Sequence, residues 1–288
     1  MIILIDAGNT RIKAGWVNPD TGERELTVVA FQHADLDQLA HWLGTLPLPP
    51  TSALGVNVAG PTVAAAIEKI LSKHNCSTEW VTGEPQTLNV TNAYANPEQL
   101  GSDRWLALLG LAQRPHPQLE HAGTAPCPLI LASFGTATTI DTLVVKKAGD
   151  ETQADNLHYQ FPGGLILPGP ALMRTALAEN TAHLPDANSN TTIYPTHTHQ
   201  SIASGIAAAQ AGAVLRQWLA AVEYYGLAPR VFAAGGGWPL VKEEVIRLLH
   251  FTQGRLDLPT TPIEWLPTPA LDGLAALALQ LQQSKNLN

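Results

Sequence analysis

Two short segments place a carboxylate, hydroxyls or a cation around a glycine turn. The first is Asp6-Ala7-Gly8-Asn9-Thr10-Arg11-Ile12-Lys13, which follows the apolar run Ile2 to Ile5. A turn built on Gly8 can take backbone angles closed to other residues, so its N–H groups approach an anion, with the Thr10 hydroxyl and Lys13 ammonium beside them. Asp6, at the strand end, then suits a Mg²⁺ ion held through water next to a phosphate. An ordinary hairpin would use the same residues, because Asp, Gly and Asn are good turn formers. The G-x-x-x-x-G-K-[ST] spacing of a Walker A loop is absent. The second segment, Phe134-Gly135-Thr136-Ala137-Thr138-Thr139-Ile140-Asp141, is again a small, hydroxyl-rich turn between apolar runs. Two such turns facing each other across a cleft would grip the phosphates of one nucleotide, and Gly235-Gly236-Gly237 would offer bare backbone to an adenine or ribose.

These turns need strands to hold them. Ile2 to Ile5 and the alternating Ile12, Ala14 and Trp16 read as a β-hairpin. Leu36 to Leu46 reads as a helix, Ala53 to Val58 as a buried strand, Pro61 to His74 as a helix opened by its proline, and Glu79 to Val81 as a short strand. A loop from Tyr94 to Asp103 leads into a helix over Arg104 to Gln113. The Pro- and Gly-rich stretch that follows, to Pro128, divides the chain into domains 1–118 and 119–288. The second half restarts like the first, with strand Leu129 to Phe134, a turn, and strand Ile140 to Val145. Helices over Pro170 to Glu179, Ser201 to Tyr225, Leu240 to His250 and Ala270 to Gln283, and a strand over Arg230 to Ala234, complete an α/β pattern in which one design is used twice.

Composition narrows the function. The chain has 288 residues, 45% hydrophobic and only 14% charged, with 23 Gly and 22 Pro, so it folds, and its sparse charge fits a surface partly covered in a homo-oligomer. With 16 Lys+Arg against 24 Asp+Glu it lacks the basic face that nucleic acid demands. Cys76 and Cys127 have no C-x-x-C partner and read as buried thiols in a reducing compartment. Asp6 interrupts the opening apolar run too early for a signal-peptide core, and the Ser201 to Val222 helix, broken by Gln210 and Arg216, is no membrane span, so a soluble cytoplasmic protein is expected. His197 and His199 sit in a Thr/Asn-rich loop without nearby acidic or thiol partners and read as solvent-facing rather than metal-binding. Trp105, Trp218 and Trp238 read as core or dimer anchors, and Glu243-Glu244 as a solvated helix face. Asp103 and Arg104, read as residues alone, make a helix N-cap and a surface ion pair as readily as a site.

The hairpin D-x-G-N-T-x-x-K, the tetrad Gly101-Ser102-Asp103-Arg104, the turn Gly135 to Asp141 and the segment Pro162-Gly-Gly-Leu-Ile-Leu-Pro-Gly169 together resemble the type III pantothenate kinases, in the family's order over essentially the whole chain. The resemblance implies two ribonuclease-H-like domains of the actin-like ATPase superfamily, mixed sheets flanked by helices, ATP in the cleft between them, and a homodimer. It implies ATP-dependent phosphorylation of pantothenate, the first committed step of coenzyme A synthesis. By position, Asp6 to Lys13 becomes the first phosphate loop and Thr136 a second ATP contact. Gly101, Ser102, Asp103 and Arg104 become the pantothenate tetrad, with Asp103 as base, Tyr94 a substrate-binding tyrosine, and Thr181 the threonine that reaches pantothenate from the partner subunit. One position departs from the family, which commonly has an aspartate before the F-G-T-A turn as ligand for K⁺ or NH₄⁺; here it is Ser133, a poor cation ligand. Other readings are a superfamily kinase or phosphatase acting on a sugar, acetate or polyphosphate, and a nucleotide-binding regulator without turnover.

Overall fold

In the computed structural model the described residues are 1–25, 27–115, 126–146 and 157–286. The chain forms two compact units, the first comprising Met1–Pro115, Asp155–Gln160 and Thr268–Asn288, the second His116–Ala154 and Phe161–Pro267.

The first unit is built on strands β1 (Ile2–Ala7), β2 (Ile12–Val17), β3 (Val29–Phe31), β4 (Ser52–Asn57) and β5 (Ser77–Trp80), in the order β3-β2-β1-β4-β5. β1 runs antiparallel to β2 and parallel to β4. Ile3, Leu4 and Ile5 are all fully buried, as expected of a central strand covered on both faces. Ile3 and Ile5 pack under Leu39 and Leu43 of α1 (Asp37–Gly44) and Ile67 and Leu71 of α2 (Pro61–Ser72). The opposite face is covered by α3 (Ser102–Ala112) and α7 (Pro269–Asn286), which pack closely on each other. Strands β6 (Gln86–Thr87) and β7 (Val90–Asn92), which the sequence pattern does not reveal, form a short antiparallel ribbon.

The second unit repeats the order. β8 (Leu129–Phe134) is antiparallel to β9 (Ala137–Val145) and parallel to β11 (Arg230–Ala234), which pairs in parallel with β12 (Glu264–Trp265). β10 (Tyr159–Pro168), whose first two residues belong to the first unit, lies beside β9. The order β10-β9-β8-β11-β12 reproduces β3-β2-β1-β4-β5, so the repetition suggested by the sequence is present in the topology. Helices α4 (Pro170–Asn180), α5 (Thr198–Tyr225) and α6 (Trp238–Arg255) complete the unit. Trp218 of α5 and Trp238 of α6 are buried in its core, Trp238 stacked on Phe134 at 5.5 Å between ring centroids.

The units differ from a contiguous division at 118/119, because α7 is built into the first. Its Leu271, Leu274 and Ala278 are buried, and the apolar stripe that marks this helix in the sequence is equally satisfied by any sheet face. The contact with α3 settles the choice: a Cβ on Gly273 would stand 2.0 Å from the Leu106 carbonyl oxygen, and one on Gly110 would stand 2.2 Å from that of Pro269. Only glycines allow so close a crossing. Asp272 of α7 also pairs with Arg24, 248 residues earlier, at 2.6 Å. Most of the Pro- and Gly-rich break lies outside the described residues. Cys76 and Cys127 are free and buried, and burial pushes the Cys76 thiol up to about 11. No helix among the described residues is long and apolar enough to cross a membrane.

Candidate active site

Asp6 is the penultimate residue of β1 and lies directly across the ladder from Lys13. The Lys13 ammonium stands 3.9 Å from Asp6 Oδ2, with the carboxylate side chain 15% exposed and the lysine 32%. Burial raises the Asp6 pKa above 3.8, Lys13 pulls it down, and the nearby Asp103 carboxylate raises it again. A buried carboxylate whose pKa is perturbed by a second acid and a cation marks a candidate functional site. The raised value carries a stability cost with a definite sign. Below pH 3.8 Asp6 is protonated folded or unfolded and costs nothing; as pH rises past 3.8 the unfolded chain ionises first, and the cost grows until the folded carboxyl ionises as well, after which it stays constant. Asp6→Asn should therefore raise the urea midpoint at pH 7 while the gain vanishes in acid, and a lower midpoint at pH 7 would show that the Lys13 pairing outweighs burial.

Between the strands, the Gly8 N–H donates to the Arg11 carbonyl at 3.1 Å, so it is committed to the turn rather than open to an anion. Gly8 does not use the left-handed region; the need for glycine is steric, since a Cβ would stand 3.2 Å from the Arg11 carbonyl oxygen. Asn9, Thr10 and Arg11 form the exposed tip, whereas Ala7 and Ile12 are fully buried and serve the sheet. Within this segment the groups placed for chemistry are Asp6, Lys13 and the tip.

Gly101 caps α3, and Asp103 is its second residue, not the N-cap. Asp103 Oδ1 accepts the Arg104 N–H at 2.8 Å, which holds the carboxylate at a helix start where the partial positive charge of the helix favours it. Nor is Arg104 a surface ion pair. It is only 7% exposed, and its guanidinium donates to the Tyr94 hydroxyl at 3.2 Å. Asn92, which the sequence does not single out, is the brace beneath them: its Oδ1 accepts the Tyr94 N–H at 3.0 Å, and its amide reaches the carbonyls of Glu84 and Pro97. A buried asparagine that ties three loop segments has no local sequence signature. The first unit thus gathers Asp6, Lys13, Asp103, Arg104 and Tyr94 from β1, β2, the start of α3 and the loop before it.

The second unit carries the remaining positions. Thr136 is at the exposed tip of the β8–β9 turn, and its carbonyl accepts the Gly169 N–H at 2.9 Å, tying the turn to the start of α4. Gly235 has φ +88° and a Cβ there would stand 2.4 Å from the Phe134 carbonyl oxygen, so it is spent on packing; Gly236 has open space around it. Thr181 caps the end of α4, exposed, with its hydroxyl donating to the Leu177 carbonyl at 2.8 Å. Ser133 lies within β8, opposite Thr139 and Ala234. It brings no charge, and a neutral hydroxyl is a poorer ligand for a cation than a carboxylate, so Ser133 does not fit the charged ligand of a monovalent-cation site. His197 caps α5 through its backbone and is exposed, as is His199. Glu244 pairs with Arg247 on α6.

The chain is similar to known proteins over nearly its full length. The family model described as type III pantothenate kinase matches residues 2–220. A type III pantothenate kinase of Bordetella pertussis is 51% identical over 285 residues, covering 97% of this chain and 98% of that one. This chain belongs to the type III pantothenate kinase family. A further type III pantothenate kinase, from Aromatoleum aromaticum, is 39% identical over 84% of this chain and 89% of its own. Among solved structures, a candidate Baf family transcriptional activator from Campylobacter jejuni shares the fold, with a TM-score of 0.51 at 15% identity over 99% of each chain. The α/β architecture of two sheets flanked by helices agrees with that expected of the type III pantothenate kinases. The region matched by the family model contains every site position considered above except the Gly235 turn. As kinases, family members take their phosphoryl group from ATP.

Proposed function

We propose that this protein transfers the γ-phosphoryl of ATP to the primary hydroxyl of pantothenate, giving 4'-phosphopantothenate, the first step of coenzyme A synthesis, in the cytoplasm. The observation that carries the reading is Asp103 held at the start of α3 within electrostatic reach of Asp6. Phosphoryl transfer passes through a loose, in-line transition state, so the protein must chiefly position groups and neutralise charge. Asp103 accepts a hydrogen bond from the alcohol and aims its oxygen at the γ-phosphorus. The new P–O bond forms as the bond to the β,γ-bridging oxygen breaks, ADP departs, and the proton passes late to Asp103. Arg104, Tyr94, Gly101 and Ser102 hold pantothenate, and Thr181 reaches it from the partner subunit of a homodimer. Lys13, the tip of the first loop and Thr136 contact ATP.

The desolvated Asp6 carboxylate beside Asp103 fits a Mg²⁺ held through water, which when bound would supply neutralising charge to the phosphates. No role is assigned to K⁺ or NH₄⁺, because Ser133 does not fit one. The test is a phosphorylation assay with ATP against pantothenate, sugars and acetate, with and without K⁺ or NH₄⁺. Pantothenate alone should turn over, and removing the cation should change the rate less than about twofold, the scale of an effect too small for one lost charged ligand. Turnover of another acceptor, or none, would overturn the reading; a strong cation requirement would overturn the Ser133 assignment. The same assay along a dilution series reads the dimer, since activity per chain should fall as subunits separate.

A further inference from the structure

We infer that His33 is a positioning residue for the first phosphate loop, an inference that rests on the proposed role of that loop in holding ATP. His33 opens a 3-10 turn, His33–Asp35, just after β3. Because Ile12 pairs with Phe31 in the antiparallel register of β2 and β3, the chain leaving β3 comes back beside the tip of the first hairpin. There the half-buried imidazole places Nε2 2.8 Å from the Gly8 carbonyl oxygen. A carbonyl only accepts, so the proton sits on Nε2.

The hydrogen bond fixes more than Gly8. The Gly8 N–H is already held by the Arg11 carbonyl at 3.1 Å, so both polar groups of this residue are anchored. A trans peptide points its C=O and the following N–H in opposite directions, so clamping the Gly8 carbonyl toward His33 turns the Asn9 N–H away from it. Asn9 belongs to the exposed tip that follows, and its donor direction is set before any ligand arrives. Holding the loop in its binding conformation lowers the ordering cost of gripping a phosphate. Gly8 has no side chain to do this itself, which is why the clamp comes from a residue 25 positions away.

The experiment compares His33→Leu with His33→Gln, whose amide carries an N–H at about the reach of Nε2. Leucine should raise the KM for ATP about five- to tenfold, the scale of one hydrogen bond, with kcat and the KM for pantothenate within about twofold of wild type. Glutamine should restore the KM for ATP to within about twofold. A purely structural role would lower the amount of active enzyme and thus apparent kcat, but would not move a KM. An unchanged KM for ATP in the leucine variant, or an equal rise for both substrates, would overturn the inference. If leucine prevents folding, His33→Asn, whose amide is too short to reach Gly8, takes its place with the same expected rise. Calorimetric binding of ATP alone reads the same effect without an acceptor. It separates failure of this inference from failure of the pantothenate assignment: a wild-type protein that binds ATP but leaves pantothenate unchanged sinks only the latter.

Discussion

Asp103→Asn should lower kcat for pantothenate phosphorylation by about 10² to 10⁴, the usual contribution of a positioned base, while leaving the melting temperature close to that of wild type. The fold should survive because an asparagine keeps the Oδ1 that accepts the Arg104 N–H. The substitution removes the repulsion that raises the Asp6 pKa and also the favourable charge at the helix start, two opposing terms that keep the net change in stability small. What asparagine lacks is the ability to take a proton from the alcohol and the negative charge that orients it. Steady-state kinetics on the purified variant decide the matter. A kcat within about tenfold of wild type would remove Asp103 from the role of base. A large loss of kcat together with a collapsed melting temperature would assign the residue to the start of α3 instead, and circular dichroism on the same sample separates the two.

Gly273→Ala should destabilise the protein by about 3 kcal/mol or more, the upper end of what inserting one methyl group into a close contact costs. Intrinsic preference gives the opposite sign, since alanine is favoured over glycine in a helix by about 1 kcal/mol. The packing term wins because the added Cβ would meet the Leu106 carbonyl oxygen at 2.0 Å, and that atom is backbone of a second helix, unable to swing aside. For the substitution to fit, α7 must move off α3, and α3 carries Asp103 and Arg104. Activity in the surviving folded fraction should fall as well. Gly254 of α6 is the control: it is exposed, nothing lies within 4 Å of an added Cβ, and Gly254→Ala should be neutral or stabilising by up to about 1 kcal/mol. Urea denaturation of the two variants reads both terms. If Gly273→Ala is as stable as wild type, the helix contact is looser than its geometry requires, and α7 is not what holds α3 in place.

Much of the fold was legible because the relevant information is local. The apolar run before Asp6 and the one before Gly135 mark central strands by composition, and Pro61, Pro170 and Gly226 punctuate helices where their backbone chemistry demands. The sequence pattern assigns no element to Tyr159–Pro168; its glycines and prolines weaken the strand signal, and what makes it a strand is its pairing beside β9. The pattern over Arg104 to Gln113 starts this helix two residues after its observed beginning at Ser102, which makes Asp103, the second helical residue, look like an N-cap. The hydrogen bond to its own neighbour's N–H, not an end-of-helix cap, is what its carboxylate makes.

The sequence by itself determined the order of the motifs, the repeated strand-turn-strand beginning of each half, and membership of a kinase family, since each of these is written in neighbouring residues. Tertiary structure alone decided that Asp6 and Asp103 feel each other's charge, that Arg104 turns inward to Tyr94, that His33 holds the Gly8 carbonyl, and that the last helix joins the first unit. These depend on strand register and on how closely two helices approach. Periodicity records only which face of an element is apolar; which partner covers that face is settled by packing among residues far apart in the chain.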